Sequence, residues 1–238
     1  MNQCLYCYTP IRTKASWAAF FGLEAETLLC ETCRSNLERL VPPLCGKCGR
    51  SLSKLDEKFY EDGICRDCTR WEENVQWQGI LTRNRSVYQY NPFLKEVTAQ
   101  FKYRGDYALG AVFASQLLVS FGSEFKGSLL VPIPLSKQRL YERGFNQADV
   151  LCQFIGNSVP ALHRTNHEEK QSKRNRADRI NRKENPFAVV SHFQKQIESV
   201  HITLVDDIYT TGSTVRYAAK ALLDCGAQSV SSLTVARG

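Results

Sequence analysis

Thirteen residues, ITLVDDIYTTGST at positions 202–214, restrict the architecture more than any other stretch of the chain. A short apolar run suits a buried strand and is too brief for a helix. Two adjacent acids end it, and a hydroxyl-rich turn with one glycine then leads into Val215, Ala218, Ala219 and Leu222, which share one face at helical spacing. Strand, polar turn and helix in that order describe a parallel strand leaving a covered sheet.

The sequence between positions 76 and 238 repeats this alternation. Asn91-Pro92 reads as an N-cap followed by proline in the first helical turn, with Phe93, Leu94, Val97 and Phe101 at helical spacing behind it. Further helices are expected over 108–121, 145–156 and 214–225, the last stopped by Gly226. Strands are expected over 129–134, 187–190, 201–205 and 232–236, with 201–205 central. The predicted class is α/β, a parallel sheet flanked by helices, with a small separate module before it and a boundary within residues 71–78. The two parts are then 1–75 and 76–238.

No stretch approaches the roughly 20 uninterrupted apolar residues of a membrane-spanning helix. The N-terminal MNQCLYCYTP lacks the basic start and apolar run of a secretory signal, so a cytosolic protein is expected. That compartment decides how ten cysteines are read. Eight form Cys-x-x-Cys pairs: Cys4/Cys7, Cys30/Cys33, Cys45/Cys48 and Cys65/Cys68. Disulfides are disfavoured in a reducing compartment, whereas two thiolates on a tight turn can face one tetrahedral ion, so zinc is favoured over a redox dithiol. Sequential pairing yields two four-cysteine sites; crossed pairing stays open. Sites filled by four sulfurs leave no position for water and are structural. Gly49, after Cys48, suits the crowded turn. Cys152 and Cys225 sit among apolar residues and read as small core residues.

Charge is uneven. Residues 1–75 hold 10 Lys and Arg against 11 Asp and Glu, whereas residues 164–183 hold 8 against 3. Much of the formal net charge of +7 therefore lies in one short basic stretch.

In open α/β sheets, ligands bind outside the carboxyl ends of the strands. Thr210, Thr211, Gly212, Ser213 and Thr214 would offer backbone N–H groups and hydroxyls at the positive end of a helix dipole, a cradle for phosphate. It is not a Walker loop, because the Gly-x-x-x-x-Gly-Lys pattern is missing. Two carboxylates beside a phosphate repel it unless they serve a metal or neutral hydroxyls. A ribose 5-phosphate resolves the conflict, with the turn taking the phosphate and Asp206 and Asp207 accepting hydrogen bonds from the 2′ and 3′ hydroxyls.

The thirteen residues resemble the phosphoribosyl pyrophosphate (PRPP) signature of type I phosphoribosyltransferases. RSVYQYNPFLKEVTAQFKYRGD (85–106), VPIPLSKQRLYERGFNQA (131–148) and Gln171, Arg182, Asn185 and Phe187 further resemble the ComF, or ComFC, competence family, as does a double zinc ribbon before the main domain. The resemblance implies the type I phosphoribosyltransferase fold, two structural zinc ions, Mg²⁺, and PRPP as ligand or substrate. It assigns Asp206 and Asp207 to the ribose. Pro132, Ile133, Pro134, Leu135 and Ser136 form the loop for the pyrophosphate end, and Arg139 and Arg143 stabilise pyrophosphate as it leaves. Arg139 reads equally as a solvated charge. Residues 170–186 resemble a flap that closes over such sites.

Implied partners are PRPP, single-stranded DNA and other competence proteins such as the ComFA helicase-like ATPase. The implied location is the cytoplasm, with a peripheral position at the inner face of the membrane through DNA-uptake partners. Tyr88, Tyr90 and Tyr103, interleaved with Arg83, Arg85, Lys102 and Arg104, read either as stacking platforms for single strands or as a buried hood over the site. Three functions follow: a PRPP-binding protein of natural transformation handling incoming single-stranded DNA, a salvage phosphoribosyltransferase with a small acceptor, or a PRPP-sensing regulator without turnover. No residue announces itself as a general base.

Overall fold

A computed structural model describes residues 3–11, 27–103, 106–165 and 185–238. The basic stretch and the expected flap, with Gln171 and Arg182, fall almost wholly outside them, as does Arg104. In chain order the elements are α1 (Glu31–Ser35), the hairpin strands β1 (Tyr60–Glu61) and β2 (Ile64–Cys65), α2 (Arg66–Glu73), β3 (Asn84–Gln89), α3 (Pro92–Tyr103) and α4 (Ala111–Glu124). These are followed by β4 (Leu129–Pro132), α5 (Lys137–Arg143), α6 (Gln147–Ile155), β5 (Leu162–Arg164), β6 (Phe187–Val189), α7 (Gln194–Ile197), β7 (His201–Tyr209), α8 (Ser213–Asp224) and β8 (Ser229–Arg237).

Four strands form the central sheet in the order β3-β8-β7-β4, every neighbouring pair parallel. The α/β class expected from the sequence is therefore present, with β7 in an interior position. Apolar side chains alternate across the sheet: Ile202, Leu204 and Val230 pack toward α8, whereas Val205, Leu233 and Val235 pack with Leu94, Phe101, Phe113 and Leu151 from α3, α4 and α6. Both edges are covered. Leu40 donates its N–H to Val87 O (3.0 Å) and Gln89 to Glu38 O (2.8 Å) along β3, and Val159 donates to Leu130 O (2.9 Å) along β4.

Helix α3 starts where predicted, with Asn91 Oδ1 accepting from the Leu94 N–H at 2.8 Å. Three expectations change. The strand expected over 201–205 continues through both acids to Tyr209, because β8 pairs alongside it as far as Arg237. The 187–190 strand lies outside the main sheet, in an antiparallel hairpin with β5. The helix expected over 108–121 begins as a 3₁₀ turn, Tyr107–Gly110, and becomes α-helical from Ala111.

The second cysteine cluster is packed into the sheet's own core. Trp71 on α2 meets Trp77 edge to face at 5.4 Å, and Trp77, 1% exposed, meets Tyr217 of α8 at 4.7 Å. Asn84, fully buried at the start of β3, donates to Cys48 O (3.0 Å) and accepts from the Ser232 hydroxyl (2.9 Å), tying the cysteine turn to β8. Asn84→Ala leaves these buried partners unsatisfied, and urea denaturation should register a loss of about 2 kcal/mol.

Candidate functional site

The carboxyl ends of β7 and β4 lie side by side, with the Ile133 N–H donating to Val205 O at 2.9 Å. Immediately past Val205 come the two acids. Asp207 receives the ammonium of Lys102 from α3, and its backbone N–H donates to Asp206 Oδ1 at 2.8 Å. Burial, reinforced by the neighbouring charge of Asp207, pushes the Asp206 carboxyl up to about 8. Burial also opposes ionisation of Asp207, but Lys102, the Asp206 hydrogen bond and Arg143 together outweigh it and hold that carboxyl below its usual range. The pair thus carries one negative charge at neutral pH, facing one lysine.

The turn after Tyr209 is set by Gly212, whose φ of +82° lies in the left-handed region. A Cβ there would come within 2.1 Å of Tyr209 Oη and 2.4 Å of Arg216 Nη1, so only glycine fits. Those two atoms are themselves bonded, Arg216 Nη1 donating to Tyr209 Oη at 2.7 Å. Thr211 and Ser213 exchange a hydroxyl hydrogen bond at 2.9 Å, while Thr210 and Thr214 are exposed. Gly212 forms the N-cap of α8, so the N–H groups of the first helical turn open on the same turn.

On the β4 side, Pro132 ends the strand. Ile133 O accepts from Asn146 Nδ2 (3.1 Å) and Pro134 O from Arg164 Nε (2.9 Å). Leu135 is half-buried and leads to Ser136, which caps α5 by accepting from the Arg139 N–H at 3.3 Å. The two sequence-predicted arginines part here. Arg143 is half-buried, donates to Gln147 Oε1 at 2.8 Å, stacks 5.4 Å from the Tyr103 ring and lowers the Asp207 carboxyl. Arg139 is exposed.

The eight paired cysteines gather sequentially, Cys4, Cys7, Cys30 and Cys33 in one cluster and Cys45, Cys48, Cys65 and Cys68 in the other, with sulfurs within 4.8 Å of one another. Cys7 and Cys30 sulfurs lie 3.7 Å apart and Cys48 and Cys65 sulfurs 3.6 Å, close to the separation of about 3.8 Å that tetrahedral zinc imposes at its usual Zn–S bond length. Both donor sets fit zinc. Gly49 adopts a φ of +70° beside Cys48, as its turn requires. Cys152 is buried in the core and Cys225 partly so.

Several residues of the site were not singled out for it from the sequence. Lys102 stood in a group read either as a surface for single strands or as part of a hood over the site, and its partner became visible only when α3 was laid against β7. Tyr209, within the thirteen residues, and Trp71, at the expected boundary, were given no role at the site, and Arg216 and Arg237 drew no expectation. The aromatic group divides: Tyr88 is buried against Phe113, Tyr90 is half-buried and Tyr103 is 67% exposed. Arg83 and Arg85 instead pair with Glu124, at 3.2 and 3.5 Å. Among the described residues no helix is long and apolar enough to cross a membrane.

No family model matches the chain. Individual proteins do. Competence protein ComFC of Bacillus subtilis (strain 168) is 38% identical over 238 residues, spanning 98% of this chain and 94% of the relative. Competence protein ComFC of Streptococcus pneumoniae (strain ATCC BAA-255 / R6) is 31% identical over 236 residues, 99% of this chain and 100% of that protein. DNA utilization protein YhgH of Escherichia coli (strain K12) is 27% identical over 215 residues, 85% of this chain and 87% of the relative.

Two measurements follow from the site. Elemental analysis of protein purified without chelator should find about two zinc ions per chain, one for each four-sulfur set. Because Asp206 keeps its proton when folded and loses it when unfolded, this group gives the folded state an extra proton between about pH 4 and pH 8, and its contribution to the stability of the ligand-free protein falls as pH rises through that window. Asp206→Asn removes the dependence. Its melting temperature should exceed that of the unsubstituted protein by at least about 3 °C at pH 8, with the gap closing toward pH 4.

Proposed function

The chain belongs to the ComFC competence-protein family, and we propose that it binds PRPP with Mg²⁺ at the carboxyl ends of β4 and β7 and serves natural transformation by handling incoming single-stranded DNA in the cytoplasm. One observation carries the ligand reading: a carboxylate pair bearing a single charge stands within β7, three residues ahead of a turn that only glycine can close. Such a pair suits neutral hydroxyls, and such a turn suits an anion.

In this reading the 5-phosphate takes the backbone and hydroxyl donors of residues 210–214. Asp206 and Asp207 accept from the ribose 2′ and 3′ hydroxyls, and Lys102 moves from Asp207 toward the phosphates. The pyrophosphate end lies along residues 132–136, where Arg143 meets it. The carboxylates and hydroxyls around this place form an oxygen donor set, which fits Mg²⁺. When bound, that ion would neutralise pyrophosphate oxygens.

The competence and DNA-utilization role rests on the relatives' names. Exposed Tyr103 and Tyr141, 67% and 91% accessible and flanked by Arg143 and Arg139, add stacking faces beside positive charge. Other competence proteins, such as the ComFA helicase-like ATPase, are the proposed partners, and through them a place at the inner face of the membrane. Tyr103 also favours a second reading, phosphoribosyl transfer to a planar acceptor. Pyrophosphate would then leave C1 of the ribose as the acceptor bonds there, the chain's acids holding the sugar and Arg143 the departing charge.

Calorimetry with PRPP and Mg²⁺ should give a dissociation constant within the roughly 1 µM to 1 mM range of metabolite sites. Asp207→Asn should weaken it by about 10-fold or more, the loss of a charge-assisted hydrogen bond, and Asp206→Asn by about 5-fold, the loss of a neutral one. Unchanged affinity in both variants would remove the acids from the ligand. Filter binding of single-stranded DNA should show a negative slope of log affinity against log salt.

A further inference from the structure

Two arginines are buried where no carboxylate of the described residues meets them. Arg216 is 1% exposed and Arg237 2% exposed, and among the described residues neither forms a salt bridge with an acid. A buried guanidinium without a counter-charge is strongly destabilising, so the balancing charge must lie close by. For Arg237 it is a sulfur: Nη2 donates to Cys48 Sγ at 3.5 Å. A zinc ion held by four thiolates carries a net charge of −2, and Arg237 stands against that cluster.

The same arginine reaches the ligand turn. Its Nη1 donates to Tyr209 O at 3.3 Å, and its guanidinium stacks 5.0 Å from the Tyr209 ring. Tyr209 Oη accepts from Arg216, whose guanidinium lies 4.5 Å from the Trp71 ring. Trp71 sits on α2, three residues after Cys68, and its indole N–H donates to Thr211 O at 3.1 Å. Two links therefore run from the Cys45, Cys48, Cys65 and Cys68 cluster to the turn, one through Arg237 and Tyr209 and the other through α2 and Trp71. They close on Gly212, where the Tyr209 and Arg216 atoms leave no room for a methyl group.

The first cluster has a different neighbour. Tyr6, between Cys4 and Cys7, packs 5.0 Å from Phe93 and donates to Glu96 Oε2 at 2.8 Å, both on α3.

We propose that Trp71 and Arg237 are positioning residues through which the second cysteine cluster, with its metal, sets the geometry of the 210–214 turn, so that this cluster is part of the ligand site. The proposal takes the ligand class from the reading above, but the coupling itself stands on protein contacts alone. Because the turn and the cluster share one set of bonds, a ligand that orders the turn must also stabilise the metal by the same free energy.

The test uses the full-length, zinc-loaded protein and Trp71→Phe, which keeps an aromatic ring beside Trp77, smaller than the indole, and removes the N–H donor. Arg237→Lys, which keeps the charge and loses the forked contacts, is the second variant, and Cys7→Ser in the first cluster is the control. Three quantities are read: zinc content, hydrogen–deuterium exchange of the peptide covering 209–216, and PRPP affinity with Mg²⁺.

Trp71→Phe and Arg237→Lys should retain zinc at the second cluster, exchange at least about 5-fold faster across the turn, and bind PRPP about 10-fold more weakly, whereas Cys7→Ser leaves exchange at the turn unchanged. In the unsubstituted protein PRPP should slow chelator release of one zinc ion and not the other, and that protection should shrink in Trp71→Phe. Unchanged exchange over 209–216 in both positioning variants with zinc retained would overturn the proposal. So would an equal response to Cys7→Ser. If the unsubstituted protein fails to bind PRPP while the exchange difference holds, the coupling stands and the ligand reading falls.

Discussion

The site depends on a steric slot. Gly212 turns the chain in a left-handed conformation against the bonded pair of Tyr209 Oη and Arg216 Nη1, with no space for even a methyl group. That slot fixes where α8 begins, and so fixes where its first N–H groups point. It also requires Tyr209 to be held from behind, which is why the strand runs on past its acids and why a tyrosine ends it. Without β8 pairing out to Arg237, residues 206–209 would be loop, and the carboxylates would lose their registry with Lys102.

Placing two acids in a covered strand is costly, and the cost is met by unequal environments. Lys102 stabilises one charge; burial and mutual repulsion keep the other carboxyl protonated. The result is a local arrangement that is electrostatically quiet when empty and rich in hydrogen-bond acceptors, a combination suited to sugar hydroxyls beside an anion. Asn84, Thr203, Ser232 and Thr234, buried polar residues of the same sheet, are neutral, so the adjacent acids set this strand end apart from them.

What could be read in the sequence was local. The turn, its acids, the helix behind it and the cysteine pairs all declare themselves within a few residues, because steric and coordination rules act over that range. The pairing of the cysteines was half legible: two sequential clusters and a crossed set use the same turns, and only the docking of each ribbon decides between them. Contacts between distant segments were not legible. Lys102 meets Asp207 across 105 positions of sequence because α3 packs over β7. Arg237 meets Cys48 because β8 is an interior strand beside the second ribbon. Tyr88, for which the sequence left a stacking platform and a buried hood both open, is buried because it packs against Phe113 of α4.

The claim on which the account turns is that a sugar phosphate sits at residues 210–214 with its hydroxyls on Asp206 and Asp207. A crystal structure of the protein grown with PRPP and Mg²⁺ tests it most directly. The account predicts the 5-phosphate within hydrogen-bond distance of the 210–214 backbone, the ribose hydroxyls on the two carboxylates, and Lys102 displaced from Asp207. A ligand bound elsewhere, or a turn left empty with the Lys102–Asp207 pair intact at saturating PRPP, would contradict it.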